Sequence, residues 1–392
     1  MASPALDALR FMRGWAGHTR GASLRGVEVD DIQIEDDSLP AVPVGGTAGH
    51  AGRSLRAWRY RSGKPSARPP RPGWVLLHGA TRPGPHHPEI VRCATALAGA
   101  GGDVLIPEVT AWRKLDLDPA PARRALALAA RQQHRDPHVS PGGTVLAGFS
   151  FGCPQAIASG TELARAGVVR GVLGYGGYHS LDSAIRFGLT GRYEWRGRTE
   201  KLHPDPYGRW VVAANFLHRI PGMDCAADVS RALGRLAALA GDIGFAAYGR
   251  ESDSYKAEAM ASVSARNREL FRFFAPDAGV EPDPNLAREL APQLAAAARD
   301  TYPELEISHA LDQPSLQEMP FPPCHLIHGR HDRLIPFTET ISLERHLAPR
   351  TEVAATITGL LAHSQAAAGL TRPVEALRLA AAIRSLMKLH AS

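Results

Sequence analysis

Six short runs dominated by apolar residues punctuate the chain: Trp74–Leu77, Val104–Ile106, Thr144–Ala147, Gly171–Tyr175, Cys324–Ile327 and Glu352–Ile357. Runs this short, without polar alternation, fit strands covered on both faces of a parallel sheet. Between the earlier runs lie segments of helical spacing, 89–100, 121–134 and 154–166. A last helix is predicted over 373–389, with Pro373 in its first turn and an apolar face at Ala376, Leu379, Ala380, Ile383 and Met387. Strand–helix alternation of this kind predicts an α/β protein with a doubly wound, mostly parallel sheet. Ahead of it, Leu6, Leu9, Met12 and Trp15 mark a helix over 5–16 that either packs on its own domain or serves as an interfacial arm. Strands are predicted at Val27–Ile34, ending at the turn Asp36–Asp37, and at Leu55–Tyr60. Residues 45–52 and 62–73 read as loops.

The alternation stops near residue 180 and resumes near 320. The stretch between reads as helical, with candidate helices at 207–217, 226–240, 254–274 and 285–301. It interrupts the strand order after the fourth run and before the fifth, so it is an insertion. A core of 1–180 and 320–392, capped by a helical insertion of 181–319, accounts for a chain of 392 residues, long for one plain domain.

Composition narrows the class. Hydrophobic residues at 44% and charged residues at 21% are globular values, and aromatics at 6% leave the core mainly to Ala, Leu, Val and Ile. The net charge of +6 is scattered, with no run of basic residues, so no nucleic-acid partner is expected. Cys93, Cys153, Cys225 and Cys324 match no zinc or redox spacing and read as reduced thiols. No apolar run reaches 18 residues and residues 1–20 lack a signal-peptide core, so no membrane span is expected and the cytoplasm follows by default. A homodimer is left open.

The chemistry starts at Gly148-Phe149-Ser150-Phe151-Gly152, between a predicted strand and a helix opening near Pro154. A sharp turn there would lift the Ser150 hydroxyl above the sheet, and side chains two residues either side would collide, so both are Gly. Serine needs a base, and the base an orienting carboxylate. Downstream, His328-Gly329-Arg330-His331-Asp332-Arg333-Leu334-Ile335-Pro336 puts Asp332 in the loop after the fifth run, at the sheet edge where such groups gather. His363 follows, with room for one strand and two loops between. Asp332 could instead cap a helix, Asp182 could supply the carboxylate, and His331, beside the acid, would point elsewhere. An oxyanion hole needs backbone N–H donors. Phe151 would provide one and Ala80 the other, in the loop His78-Gly79-Ala80-Thr81, with Thr81 as the rival.

With these motifs and the late His363, the chain resembles the α/β-hydrolase superfamily over residues 24–180 and 320–392. The resemblance implies a Ser150–His363–Asp332 triad, an acyl-enzyme intermediate and no cofactor. The substrate would be a small-molecule ester of small or medium acyl chain, with a peptidase or acyltransferase as the rival enzyme and a non-catalytic binding module as the rival outside enzymes. The insertion matches no named family. In it, Asp205-Pro206-Tyr207-Gly208-Arg209-Trp210 offers Tyr207 and Trp210 as pocket residues or as packing. His86 and His87 are adjacent and share no ligand face, so no metal is expected.

Overall fold

In the computed structural model the described residues are 4–18, 26–36, 54–63, 70–311, 321–359 and 373–389. The strands are β1 (Val27–Glu35), β2 (Ser54–Ser62), β3 (Arg71–Leu77), β4 (Asp103–Pro107), β5 (Val139–Phe149), β6 (Val169–Tyr175), β7 (Arg192–Trp195), β8 (Arg198–Lys201), β9 (Cys324–Gly329) and β10 (Val353–Thr358). Eight of them form one sheet in the order β1-β2-β4-β3-β5-β6-β9-β10, parallel from β4 to β10, with β2 antiparallel to both β1 and β4. This strand order is that of the α/β-hydrolase fold.

The apolar runs form strands because both faces are covered. Successive side chains of a strand point to opposite faces. Trp74 and Leu76 of β3 therefore join one core, and Val75 and Leu77 the other. The first core is closed by α1 (Pro4–His18), α2 (Pro88–Gly99) and the last helix, α14 (Pro373–Lys388). The second is closed by α3 (Thr110–Arg113), α4 (Ala120–Arg135), α5 (Gly152–Arg165) and α13 (Thr338–Leu347). Helix α1 packs on its own domain, burying Ala8 and Phe11 against α2 and α14. Arg59 on β2 is held by the buried Asp103 of β4 at 2.6 Å and by Asp136 after α4, locking the antiparallel edge to the parallel sheet.

Between β6 and β9 the chain leaves the sheet. Helices α6 (Leu181–Thr190), α7 (Pro206–Phe216), α8 (Ala227–Ile243), α9 (Asp253–Ala261), α10 (Arg268–Phe274) and α11 (Pro284–Thr301) share a core of their own, around Trp210, Phe216, Leu233, Phe274 and Leu294. The short α12 (Ile307–Leu311) instead buries Ile307 and Leu311 in the sheet's second core.

Three local expectations change. The single helix expected over 254–274 is two, α9 and α10, because Asp228 takes hydrogen bonds from the Ser264 N–H and the Asn267 amide and pulls the chain out of line. A hairpin, β7–β8, turns at Arg196–Gly197, both with positive φ as a tight two-residue hairpin turn requires. The span between Asp332 and β10, expected to be loop, contains α13.

Candidate functional site

Ser150 stands at the end of β5, two residues before α5, with φ of 52°. Non-glycine residues rarely adopt that conformation, and it persists where the surroundings over-determine it. They do so here. The Ser150 N–H donates to the Tyr175 carbonyl at 2.7 Å, and its carbonyl accepts from the Cys153 N–H at 2.9 Å. A Cβ on Gly148 would come within 2.4 Å of the Gly152 carbonyl oxygen, and one on Gly152 within 2.9 Å of the His78 carbonyl oxygen. Both flanking glycines are therefore obligatory for the turn.

The loop after β3 comes up against this turn. A Cβ on Gly79 would lie 3.3 Å from that of Ser150. His78 fixes the loop from beneath. It is fully buried, its Nδ1 lies 2.7 Å from the Gly79 carbonyl, and its Nε2 lies 3.2 Å from the Val109 N–H. A neutral ring satisfies both, with Nδ1 donating and Nε2 accepting. Burial keeps it neutral by pushing its pKa down to about 4. The N–H groups of Ala80, Thr81 and Phe151 find no acceptor among the described residues. The Phe151 ring is braced edge-on by Trp112 at 5.1 Å.

Asp332 lies in the loop after β9 and is 1% exposed. Its Oδ1 accepts from the Leu334 and Ile335 N–H groups at 2.8 and 3.1 Å. Its Oδ2 lies 3.5 Å from Nε2 of His328. His328 is also fully buried, between the Thr340 hydroxyl at 2.7 Å and the Ile335 carbonyl at 3.0 Å. Because a carbonyl can only accept, Nε2 carries a proton and donates to Ile335. His328 thus bridges β9, α13 and the Asp332 loop, a role that sequence reasoning could not separate from that of any other histidine. His363 lies outside the described residues. His331 is exposed. Asp182 sits in the first turn of α6 and pairs with Arg186 one turn along.

A cavity of about 590 Å³ opens over this edge, and its wall includes Ser150, Gly79, Ala80, Thr81 and Phe151 from the sheet side. The insertion supplies most of the remainder, which is largely apolar. Tyr207 is on the wall, and its buried phenol oxygen, toward Thr81, makes no hydrogen bond of ordinary geometry. Burial raises this phenol to about 12. Trp210 is not on the wall. It is fully buried in the insertion's core and donates its indole N–H to the Phe274 carbonyl at 2.9 Å. His86 packs edge-on against Trp58 at 4.5 Å, whereas His87 lines the cavity and accepts the Glu89 N–H at the start of α2.

The insertion is tied to the acid loop. The Asp205 N–H donates to the Arg333 carbonyl at 2.7 Å, Arg333 Nε donates to the His203 carbonyl at 2.7 Å, and the Arg333 guanidinium lies 4.0 Å from the Tyr248 ring centre. No helix among the described residues is long and apolar enough to cross a membrane.

No protein-family model and no curated protein matches the chain. Solved structures resemble it. A brefeldin A esterase, described as a bacterial homologue of human hormone-sensitive lipase, aligns at TM-score 0.45 and 17% identity over 100% of this chain and 86% of that one. An esterase from the fungus Rhizomucor miehei aligns at TM-score 0.44 and 15% identity, over 98% of this chain and 96% of that one. An acylaminoacyl peptidase from Pyrococcus horikoshii aligns at TM-score 0.46 and 11% identity, but this chain spans only 43% of it.

Proposed function

We propose that the protein is a serine hydrolase acting on carboxylic esters, with Ser150 as nucleophile, His363 as general base and Asp332 as the carboxylate that orients it. The observation that carries this reading is Ser150 itself: a serine held at positive φ, between two glycines that admit no side chain, at the floor of a largely apolar cavity. That strain has no use in a structural turn, where glycine would serve at lower cost.

The steps follow from the chemistry of acyl transfer. Ser150 Oγ attacks the ester carbonyl while His363 takes its proton. The N–H groups of Ala80 and Phe151, unpaired and on the cavity wall, receive the negative charge that develops on the carbonyl oxygen. Collapse expels the alcohol, which takes the proton back from His363. Water then repeats the sequence on the acyl-enzyme and releases the acid. Asp332 stays ionised and holds the tautomer of His363 that presents an acceptor to Ser150. The two backbone N–H groups on Oδ1 favour that charge. A small or medium acyl chain suits the wall, and the insertion acts as a cap over it.

A fluorophosphonate probe tests the nucleophile and a series of 4-nitrophenyl esters tests the reaction. The reading requires labelling at Ser150 and ester turnover that the label abolishes. A folded protein that neither takes the label nor turns over any ester refutes it.

A further inference from the structure

Arg209 is the only lysine or arginine among the described residues lining the cavity. It follows Asp205, the residue preceding α7, by one helical turn and is 5% exposed. A guanidinium stays charged, and burying it is costly unless carboxylates or several acceptors surround it. Arg209 has little of either. Its Nε donates to the Phe274 carbonyl at 2.7 Å, an acceptor it shares with the Trp210 indole. Among the described residues, its two terminal nitrogens make no hydrogen bond and no ion pair, and neither is sealed within protein. Asp205 is within electrostatic reach, yet its carboxylate turns back to accept the Tyr207 N–H at 3.0 Å. Glu89, the other acid on the wall besides Asp205, is paired with Arg92 at 2.7 Å. The imbalance registers on both partners: burial pushes the Arg209 guanidinium down to about 10 and the Asp205 carboxyl up.

We propose that Arg209 is a recognition point for a carboxylate, so that the cavity accepts acyl chains bearing a free carboxylate at the end remote from the ester, the half-esters of dicarboxylic acids being the simplest members. This deepens the ester-hydrolase reading for the reacting end of the ligand, while the carboxylate site stands on the cavity's own geometry. A guanidinium with two open terminal nitrogens presents a planar fork that matches a carboxylate in two parallel hydrogen bonds. An apolar wall makes that pairing stronger than it would be in water. Leu181, Ile185, Val212 and Phe245 supply such a wall for the chain between the two ends. The turn that carries Arg209 also stands over the reacting edge, since Asp205 bonds to Arg333, the residue after Asp332. One ligand can therefore span Ser150 and Arg209 within the same cavity.

Thermal melting of the full chain with hexanoate, set against hexanol at equal concentration and at pH 8, reads the site without turnover. Hexanoate should raise the melting temperature by roughly 3 °C more than hexanol does at saturating concentration. Arg209→Gln should erase that difference. Equal shifts in the wild type overturn the proposal, as does a folded Arg209→Gln that keeps the difference. Should Arg209→Gln fail to fold, calorimetry on Arg209→Lys decides, because lysine keeps the charge and loses the fork. Its affinity for hexanoate should fall by about tenfold, and an unchanged affinity overturns the proposal. Turnover separates the two readings. Wild type should favour the mono-4-nitrophenyl ester of adipate over 4-nitrophenyl hexanoate by about tenfold in kcat/KM. Hexanoate binding with neither fluorophosphonate labelling at Ser150 nor turnover of any ester would end the hydrolase reading alone. Turnover with no preference for carboxylate in either assay would end the Arg209 site alone.

Discussion

Gly79 and Ser150 approach so closely that a single methyl on Gly79 would meet the Ser150 Cβ at 3.3 Å and the Phe149 carbonyl oxygen at 3.4 Å. The contact with Ser150 is tighter than ordinary packing, and the backbone on the Ser150 side is pinned by two hydrogen bonds. Gly79→Ala should therefore move the loop away from Ser150. We expect kcat/KM for a 4-nitrophenyl ester to fall by about tenfold or more with little change in far-UV circular dichroism, since small displacements of oxyanion donors are costly. Wild-type turnover in Gly79→Ala would show that the loop takes no part in the reaction.

Ser150→Ala should remove turnover down to the residual effect of binding and the oxyanion donors, a loss of several orders of magnitude. The same substitution replaces a strained serine with an equally strained alanine, so stability should change little. Steady-state kinetics and urea unfolding on one preparation check both halves.

Asp332→Asn should lower kcat by about 10⁴, because the amide stabilises the wrong imidazole tautomer of His363. Asp182→Asn should do far less, since Asp182 pairs with Arg186 at the start of α6. Ranking the two variants by kcat settles the identity of the acid, and the reverse order would move it to the earlier loop.

Tyr207 and Trp210 should respond differently to truncation. Tyr207 lines the cavity and Trp210 fills the insertion's core. Tyr207→Ala should shift relative kcat/KM among esters of different acyl length. Trp210→Ala should cost about 3–5 kcal/mol of stability and lower turnover of all esters alike. Melting curves and a chain-length series on each variant distinguish a wall residue from a packing residue.

His78 gives the protein an acid-sensitive point. Burial pushes its ring from the ordinary histidine value of 6.5 down to about 4 in the folded protein. Between those values the unfolded state binds the extra proton. The contribution of His78 is thus intact above pH 6.5 and declines as the pH falls toward 4, by roughly 3 kcal/mol in all. Urea unfolding from pH 7 to pH 4 should show this decline, and His78→Asn should flatten it. Parallel slopes in the two proteins would assign the decline to other groups.

The sheet was legible because strands covered on both faces leave uninterrupted apolar runs, as in Trp74–Leu77, where no residue faces water. The turn at Ser150 was legible because sterics allow only glycine at 148 and 152. Other features depend on distant partners. The hairpin β7–β8 is four residues per strand and largely exposed, so no periodic burial marks it. The break between α9 and α10 is imposed by Asp228, remote in sequence. Tyr207 and Trp210 sit one turn apart on α7, and the packing of the neighbouring insertion helices decides which of them meets the cavity. For Arg209 the sequence shows a cation on a helix, and nothing in its neighbours reveals that the fold buries it with two nitrogens open.

The bond from Asp205 to the Arg333 carbonyl has a mechanical reading. It ties the first turn of α7 to the strip of chain that carries Asp332, so a displacement of this corner of the insertion would be felt at the proposed acid. Under the proposed mechanism, the tie would keep Asp332 in register with the cavity wall whichever ligand occupies it.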